Sequence, residues 1–568
     1  MNTGSVFNSV DWVAIILFFV GMVAIVWAAM QKKVKDGEGY FLSARDAKWL
    51  PIGTSIFTSN IGSEHLVGLA GAGFATGLAM AHWEIQAWII LILGWVFVPI
   101  YDRIKVFTMP EFLELRFSGG SRSILSILTI ASLVLTKIAA TLYAADVVFK
   151  VFLGCDSVMI FGHQTDLFWV IALGLGIATG IYTAIGGLRV IMYTAVLQTP
   201  VLLFGSFCIL LIGLTKLGSG NLIAGWHAMT ASMGDNMHLV RSLGDKDFPW
   251  LAVLPGSAII GFWYWCTDQY IVQRVLAGKN EQESRRGSIL AAYLKLTPVF
   301  IFMIPGMIAF ALTKMSEAHF ATSGDAAYTS LVAQLLPHGI RGIVACGMLA
   351  SLMASLASKF NASATLFTMD FYQKWYPKSS GATQVVVGRI ATGVIVLIGI
   401  LWIPVMKTLG KNLYVYLQSV QGYISPAIAV LFVMGIFWKR ATAPAAFWAF
   451  LFGAVGGFMR LGLDLLIDRP LKGGLATVEQ LQAKFGIFFN LQQIHWLYYS
   501  EGLLVATVLL MFIISFLSKA PEKAKERFTA YGATPEEKAA TRASWNKWDV
   551  VHTVIILGIV ATFYYIFW

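Results

Sequence analysis

The stretch Ser59-Asn60-Ile61-Gly62-Ser63-Glu64-His65 puts polar and flexible chain in the middle of an apolar run from 47 to 75. A bilayer core takes roughly 20 apolar helical residues to cross, so this stretch falls near mid-depth. A membrane helix hides its own backbone groups, and a break is tolerated only where it lines a site or cavity. A second interruption begins at Pro255-Gly256 and passes Gly261 before Trp263-Tyr264-Trp265, in a run from 250 to 273. Paired interruptions in corresponding segments mark a transporter site built between inverted repeats. Gly68, Gly71 and Gly73, by contrast, read as packing positions that let helices approach closely.

The rest of the chain agrees with a membrane solvent. Its 568 residues are 57% apolar and 12% charged, with a mean hydropathy of +0.72, whereas soluble domains carry about 25% charged residues. That excludes a soluble body, and the recurrence of apolar runs along the whole chain excludes a soluble domain on one anchor. Residues 1–10 hold no Lys or Arg, so a removable signal peptide is not expected. The four cysteines show no CxxC spacing, which argues against a disulfide framework or a zinc site.

Fourteen spanning helices are expected, near 11–30, 47–75, 79–101, 121–152, 166–184, 190–215, 250–273, 285–313, 340–372, 385–406, 413–437, 443–466, 496–518 and 548–567. The runs are too long for strands and lack period-two alternation, so the fold class is all-α and polytopic. The outer loops at 216–249 and 467–495 read as irregular, with a short amphipathic helix around Val478–Phe485. Of the 41 Lys and Arg, 26 fall in one alternate set of loops and 11 in the other. The positive-inside rule then puts both termini on the outer side of the cell membrane. The net charge of +11 reads as topology rather than affinity for nucleic acid.

Four basic residues remain inside spans: Lys137, Lys295, Lys359 and Arg460. A lysine as deep as Lys295 must face a cavity or an anionic partner; Lys137 also needs a partner, which the sequence does not identify. Glu84, His65, Asn60 and Gln418, the last flanked by Tyr414 and Tyr416, add donors and acceptors at depth. With an aromatic pair at Tyr264 and Trp265 they suit a neutral polyhydroxylated solute, whose hydroxyls both donate and accept while a ring stacks on its face. No like charges compete in that set. No HExxH, GxSxG, P-loop or GxGxxG signature occurs, so an enzyme is not expected.

Several strings together resemble the sodium/solute symporter family: Ser59–His65, Thr108-Met109-Pro110-Glu111-Phe112, Tyr264-Trp265-Cys266-Thr267-Asp268-Gln269, Ile304-Pro305-Gly306-Met307-Ile308, Phe360–Asp370 and Ile436-Phe437-Trp438-Lys439-Arg440. The similarity is closest to the sugar branch, the sodium–glucose cotransporters, and runs from about Gly39 to Arg440 and weakly beyond. It implies one transporter domain over 1–568, with a leucine-transporter-like core. Two inverted five-helix repeats would lie at about 47–215 and 250–437, with peripheral helices at 11–30, 443–466, 496–518 and 548–567. It also implies a sugar site at Asn60, His65, Glu84, Tyr264, Trp265, Lys295 and Gln418, with Tyr264 stacking on the sugar as an inner gate. A co-transported sodium ion would meet backbone oxygens of Thr58, Ile61 and Ser351 and hydroxyls of the ninth span, at the corner formed by Ala354 and Ser355.

The chain departs from the family pattern at three places. Ala354-Ser355 stands where the pattern has Ser-Ser, so one hydroxyl is lost. Ala195, in Tyr193-Thr194-Ala195-Val196-Leu197-Gln198, stands where some members carry an aspartate tied to a second sodium. Gly261 stands where relatives have a polar side chain. The expected activity is therefore inward symport of a neutral hexose with one sodium per sugar. A tenfold sodium gradient supplies about 1.4 kcal/mol and 100 mV about 2.3 kcal/mol per charge. A sodium-independent facilitator or sensor, or a same-fold symporter for inositol or another small solute, are the alternatives.

Overall fold

The structure is a computed structural model that describes residues 6–568 apart from 32, 33, 35, 63, 161, 316–323, 407–412 and 473. Ser63 of the opening stretch thus lies outside the described residues, as do the side chains of Tyr414 and Tyr416. The long helical segments are α1 (Ser9–Met30), α2 (Trp49–Asn60), α3 (Glu64–Ile104), α4 (Gly119–Leu153), α5 (Leu167–Leu217), α6 (Trp250–Cys266) and α7 (Gln269–Leu276). They continue as α8 (Glu281–Met315), α9 (Ile340–Trp375), α10 (Gly381–Met406), α11 (Leu413–Phe437), α12 (Ala443–Ile467), α13 (Trp496–Leu517) and α14 (Lys547–Ile566).

Among the described residues, eleven helices are long and apolar enough to cross a membrane, or twelve if α6 and α7, bent by 45°, form one span. The expected count of fourteen is not reached on that measure, and the difference sits in two places. The 41 residues of α3 follow directly on α2, and the 51 residues of α5 would extend roughly 75 Å if straight, more than twice a bilayer core. α5 is not straight: Gly187 takes φ 57° and ψ −158° inside it. A Cβ there would lie 2.4 Å from the Tyr40 carbonyl, so glycine serves both the backbone angle and the close contact. The expected spans at 166–184 and 190–215 are the two arms of this bend.

Two loops differ from expectation. Residues 216–249 were expected to be irregular, yet Leu222–Met233 is a helix whose N-cap Asn221 accepts from Ile223 N and Ala224 N. An Asn followed by apolar residues is an N-terminal signal that the polar loop composition masked. Between α4 and α5 a small antiparallel hairpin pairs Ser157–Ile160 with His163–Asp166. The helix Val478–Phe485 is present with a capping box from Thr477 and Gln480.

The apolar helices bury one large core. α3 and α8 cross tightly: a Cβ on Gly306 would lie 2.0 Å from the Ala70 carbonyl, and one on Gly73 2.3 Å from the Met303 carbonyl. That crossing bears out Gly73 as a packing residue. The peripheral α1 is tied to the start of α9, where Asp11 Oδ1 accepts from Gly339 N at 2.7 Å and Gly342 N at 2.9 Å. α9 in turn packs against α2 and α5.

Candidate functional site

The helix α2 stops where the sequence predicts its break. Its last ladder bond runs from Ile61 N to Phe57 O at 2.9 Å, and Ile61 itself is extended, with φ −73° and ψ 114°. The chain resumes as a π-helical turn over Glu64–Leu69, with His65 N and Leu66 N both donating to Gly62 O. The interruption expected from Pro255-Gly256 through Gly261 is absent, since α6 runs as helix past all three; the second break instead follows Cys266, where Thr267 N and Asp268 N both donate to Trp263 O and Asp268 caps α7. Carbonyls beyond a helix end lack intrahelical donors, so both breaks expose backbone oxygen inside the core.

Between them lies a small cavity of about 20 Å³ lined by Asn60, Glu64, His65, Trp83, Glu84, Gln86, Ile260, Gly261, Tyr264, Trp265, Lys295, Gln418 and Gln421. The structure thus brings together all seven residues of the expected substrate site, from α2, α3, α6, α8 and α11. Lys295 Nζ donates to Glu84 Oε2 at 2.5 Å and to Asn60 Oδ1 at 3.3 Å, and lies 5.2 Å from the centre of the Trp265 ring. His65 Nε2 pairs with the same Glu84 oxygen at 3.1 Å. Asn60 Nδ2 donates to the Tyr264 hydroxyl at 2.8 Å, which in turn accepts from the Tyr270 hydroxyl. A deep lysine therefore has both things its depth demanded: a carboxylate and a cavity.

Sequence reasoning left five lining residues out of the site: Gln86, Gln421, Trp83, Glu64 and the apolar Ile260. Gln86 spans the wall, donating to Ser257 O at 2.7 Å and accepting from Trp265 Nε1 at 3.3 Å. It occupies the room that Gly261 leaves, since a Cβ on Gly261 would lie 2.3 Å from Gln86 Oε1. Gln421 sits one turn beyond Gln418 on the same face of α11, a spacing that the i, i+3 rule could have picked out. Trp83 and Glu64 complete the wall, and Glu64 adds a second carboxylate to a site expected to hold no like charges. Three buried nitrogens on this wall have no hydrogen-bond partner: His65 Nδ1, Trp83 Nε1 and Gln421 Nε2. Buried polar groups are rarely left unpaired; Trp83 Nε1 and Gln421 Nε2 are donors, while His65, whose Nε2 faces the Glu84 carboxylate, presents Nδ1 as an acceptor in the neutral ring, so the three point to a ligand that both accepts and donates hydrogen bonds.

Two contacts join the break after α2 to α9 beside the residues expected around sodium. A Cβ on Gly62 would lie 2.6 Å from Ser355 Oγ, so the break after α2 is seated directly on α9. Ser59 Oγ and Ser358 Oγ join the same two helices at 2.8 Å. Thr58, Ile61, Ser351, Ala354 and Ser355 are all buried. Ser351 Oγ donates to Met348 O at 2.9 Å, which leaves its own oxygen lone pairs free to meet a hard cation.

The Sodium:solute symporter family profile matches residues 40–453 of the chain. The chain is 36% identical over 541 residues to Sodium/myo-inositol cotransporter 2 of Oryctolagus cuniculus, across 90% of this chain and 77% of the relative. Sodium/glucose cotransporter 4 of Danio rerio is 35% identical over 571 residues, across 95% and 84% of the two chains. Sodium/glucose cotransporter 1 of Mus musculus is 36% identical over 548 residues, across 90% and 79%. Among solved structures, the substrate-bound outward-open state of a Na+-coupled sialic acid symporter superposes with a TM-score of 0.72 at 18% identity. It covers 91% of this chain and 100% of its own, a likeness of fold.

Proposed function

The chain belongs to the Sodium:solute symporter family, and from that premise we propose that it carries a neutral hexose of the glucose or galactose kind into the cell, with one sodium per sugar. As a family member it is a multi-pass membrane protein that couples solute transport to sodium, not an enzyme. The observation that carries the substrate reading is the trio of unpartnered nitrogens, His65 Nδ1, Trp83 Nε1 and Gln421 Nε2, on one cavity. Hydroxyl oxygens accept from Trp83 Nε1 and Gln421 Nε2, and hydroxyl protons find acceptors at His65 Nδ1, Glu84, Glu64 and Gln418. Tyr264 and Trp265 offer ring faces to the apolar side of a pyranose.

One sodium follows from the side chains at the two departures. Ala195 supplies no carboxylate for a second ion, while Thr58, Ile61, Ser351 and Ser355 gather oxygens for a first. The repeats assigned to 47–215 and 250–437 each contain one of the two breaks, and alternating access would rock one repeat against the other with both termini outside. A second reading, a cyclitol substrate, is favoured by the relatives named Sodium/myo-inositol cotransporter 2. Both are polyols with a ring of hydroxyls.

Uptake of labelled sugars and myo-inositol into proteoliposomes, with and without a sodium gradient, tests these readings. Sodium-dependent accumulation of a hexose is the expected result. Accumulation of myo-inositol alone moves the assignment to cyclitols, and equal uptake without sodium refutes coupling to this solute.

A further inference from the structure

The peripheral helix α13 reaches the solute cavity from behind. Its first residue, Trp496, stacks on Trp83 of the cavity wall, with ring centres 6.0 Å apart and planes 24° from parallel. Trp83 ends the tight turn Gly77–Trp83 inside α3 and lines the cavity, whereas Trp496 does not. Trp496 also rests on Gly422 of α11, the neighbour of Gln421: a Cβ on Gly422 would lie 3.2 Å from Cε3 and Cζ3 of the indole. One turn further along α13, Ser500 Oγ donates to the Gly422 carbonyl at 2.7 Å. Leu497 packs on Gly256 of α6, where a Cβ would lie 2.7 Å from Leu497 Cδ2. α13 thus backs α3, α6 and α11, three of the helices that line the cavity.

Trp496 is itself held in place. The preceding His495 caps α13: its Nδ1 accepts from Leu497 N at 3.3 Å, which leaves Nε2 to donate to the Asp247 carbonyl at 3.0 Å in the loop 216–249. The imidazole lies 5.9 Å from the Trp496 ring. The two hydrogen-bond donors left unpaired on the cavity wall, Trp83 Nε1 and Gln421 Nε2, are the groups that this arrangement steadies. One belongs to the ring on which Trp496 stacks, and the other to the residue next to Gly422. An unpaired donor favours binding most when it already points at the solute, because ordering a free side chain on binding costs affinity. Stacked rings supply that order in advance.

We propose that Trp496 is a positioning residue for the transported solute: it fixes Trp83 and Gln421 so that their donors meet hydroxyl oxygens of the solute. A helix outside both assigned repeats then contributes to recognition, and the loop 216–249 is joined to the cavity through His495 and Trp496. The inference rests on the reading of this cavity as the solute site. Such a residue adds to binding of the solute throughout the cycle, so its loss raises the half-saturation without slowing the loaded carrier. A residue needed only for folding would instead lower the amount of protein and the limiting rate together.

The test measures sodium-driven uptake of labelled glucose, galactose and myo-inositol into proteoliposomes holding the full-length chain, with folded protein quantified by size exclusion. W496L is expected to raise the half-saturation of the transported polyol about two- to tenfold, the worth of an aromatic pair, with the limiting rate and the sodium half-saturation unchanged. W496F keeps a ring and should stay within about twofold of wild type. G422A presses on the same indole from α11 and should raise the half-saturation as W496L does; it carries the test if W496L does not fold. In a W83L background W496L should add less than in wild type, since its effect runs through Trp83. A wild-type half-saturation in W496L and G422A, or a fall in limiting rate alone, overturns the proposal. W83L separates the two readings: an unchanged half-saturation there removes the cavity as the solute site, whereas a raised value with W496L and G422A inert removes only the role of Trp496.

Discussion

Lys137 Nζ lies 2.9 Å from Asp268 Oδ2, joining the middle of α4 to the break between α6 and α7. The ammonium also stands 4.9 Å from the ring centres of Trp263 and Tyr264 and 4.4 Å from that of Tyr270. It therefore sits in an aromatic cage whose one wall is the expected gate residue. Both members of the pair are buried. Removing one partner of such a pair leaves an uncompensated charge and costs about 3–5 kcal/mol. K137M and D268N are each expected to lower the melting temperature and the uptake rate markedly. The double variant should recover part of the stability, because it leaves no lone charge behind. Thermal melts of the three proteins in detergent check this; double-variant losses equal to the sum of the singles would show that the pair is not coupled.

Lys295 and Glu84 form the corresponding pair inside the cavity, and here the consequence is read in substrate affinity. Lys295 holds both Glu84 and Asn60; without it the wall loses its bridge and Glu84 loses the ammonium that balances its charge. K295A is expected to weaken substrate binding by about ten- to a hundredfold, the range of a charge-assisted hydrogen bond. Q418E should weaken it too, by placing a third carboxylate beside Glu84 and Glu64. Concentration dependence of sodium-driven uptake separates a raised half-saturation from a loss of folded protein, and an unchanged value for both variants would put the site elsewhere.

These pairings mark where sequence reading stops. The position of a span is a local property, because the length of an apolar run is set by the bilayer, so the break after Asn60 and the depth of Lys295 were legible, whereas the second break was expected at Pro255-Gly256 and lies instead after Cys266. The partner of Lys137 was not: Asp268 is 131 residues away, and Glu84 is 211 from Lys295. Helix packing alone brings such groups together. The Gly187 bend was legible as the gap between the spans expected at 166–184 and 190–215, although α5 is helical on both sides of it. Glu64 was read as part of a broken stretch rather than as cavity wall, since a residue's side of a π-turn cannot be assigned from a 3.6-residue period. The hairpin at Ser157–Asp166 carries too few apolar positions for a strand pattern to stand out.

Gly261 supplies a test of specificity. The lost side chain is replaced in space by Gln86, whose carboxamide links Ser257 O to Trp265 Nε1. In G261A the new methyl would sit 2.3 Å from Gln86 Oε1, so the carboxamide must swing away and release the indole. Uptake is expected to fall about tenfold, with little change in expression, because overpacking of this size costs about 1–3 kcal/mol. G261A/Q86A removes the clash and should regain part of the affinity while changing the ranking among hexoses. Competition by a sugar panel reads the ranking, and a double variant no better than G261A would mean that the glycine acts elsewhere.

A pH effect on stability follows from Asp325, in the turn Gly324–Ala326 between α8 and α9. Burial pushes its carboxyl from 3.8 up to about 6. The acid sits against the glycine face of α3, where a Cβ on Gly71 would lie 3.2 Å from Asp325 Oδ1. The sign is that of a raised carboxyl: the folded chain holds the proton more tightly than the unfolded chain, so ionisation opposes folding. The penalty is absent below about pH 3.8, grows between 3.8 and 6, and is complete above 6. D325N removes the charge at little change in shape. It should raise the melting temperature by a few degrees at pH 7.5 and leave it unchanged near pH 4, with an intermediate gain at pH 5. A gain of equal size at all three pH values would show that the effect of D325N comes from packing, and the charge of Asp325 would then carry no share of the pH dependence.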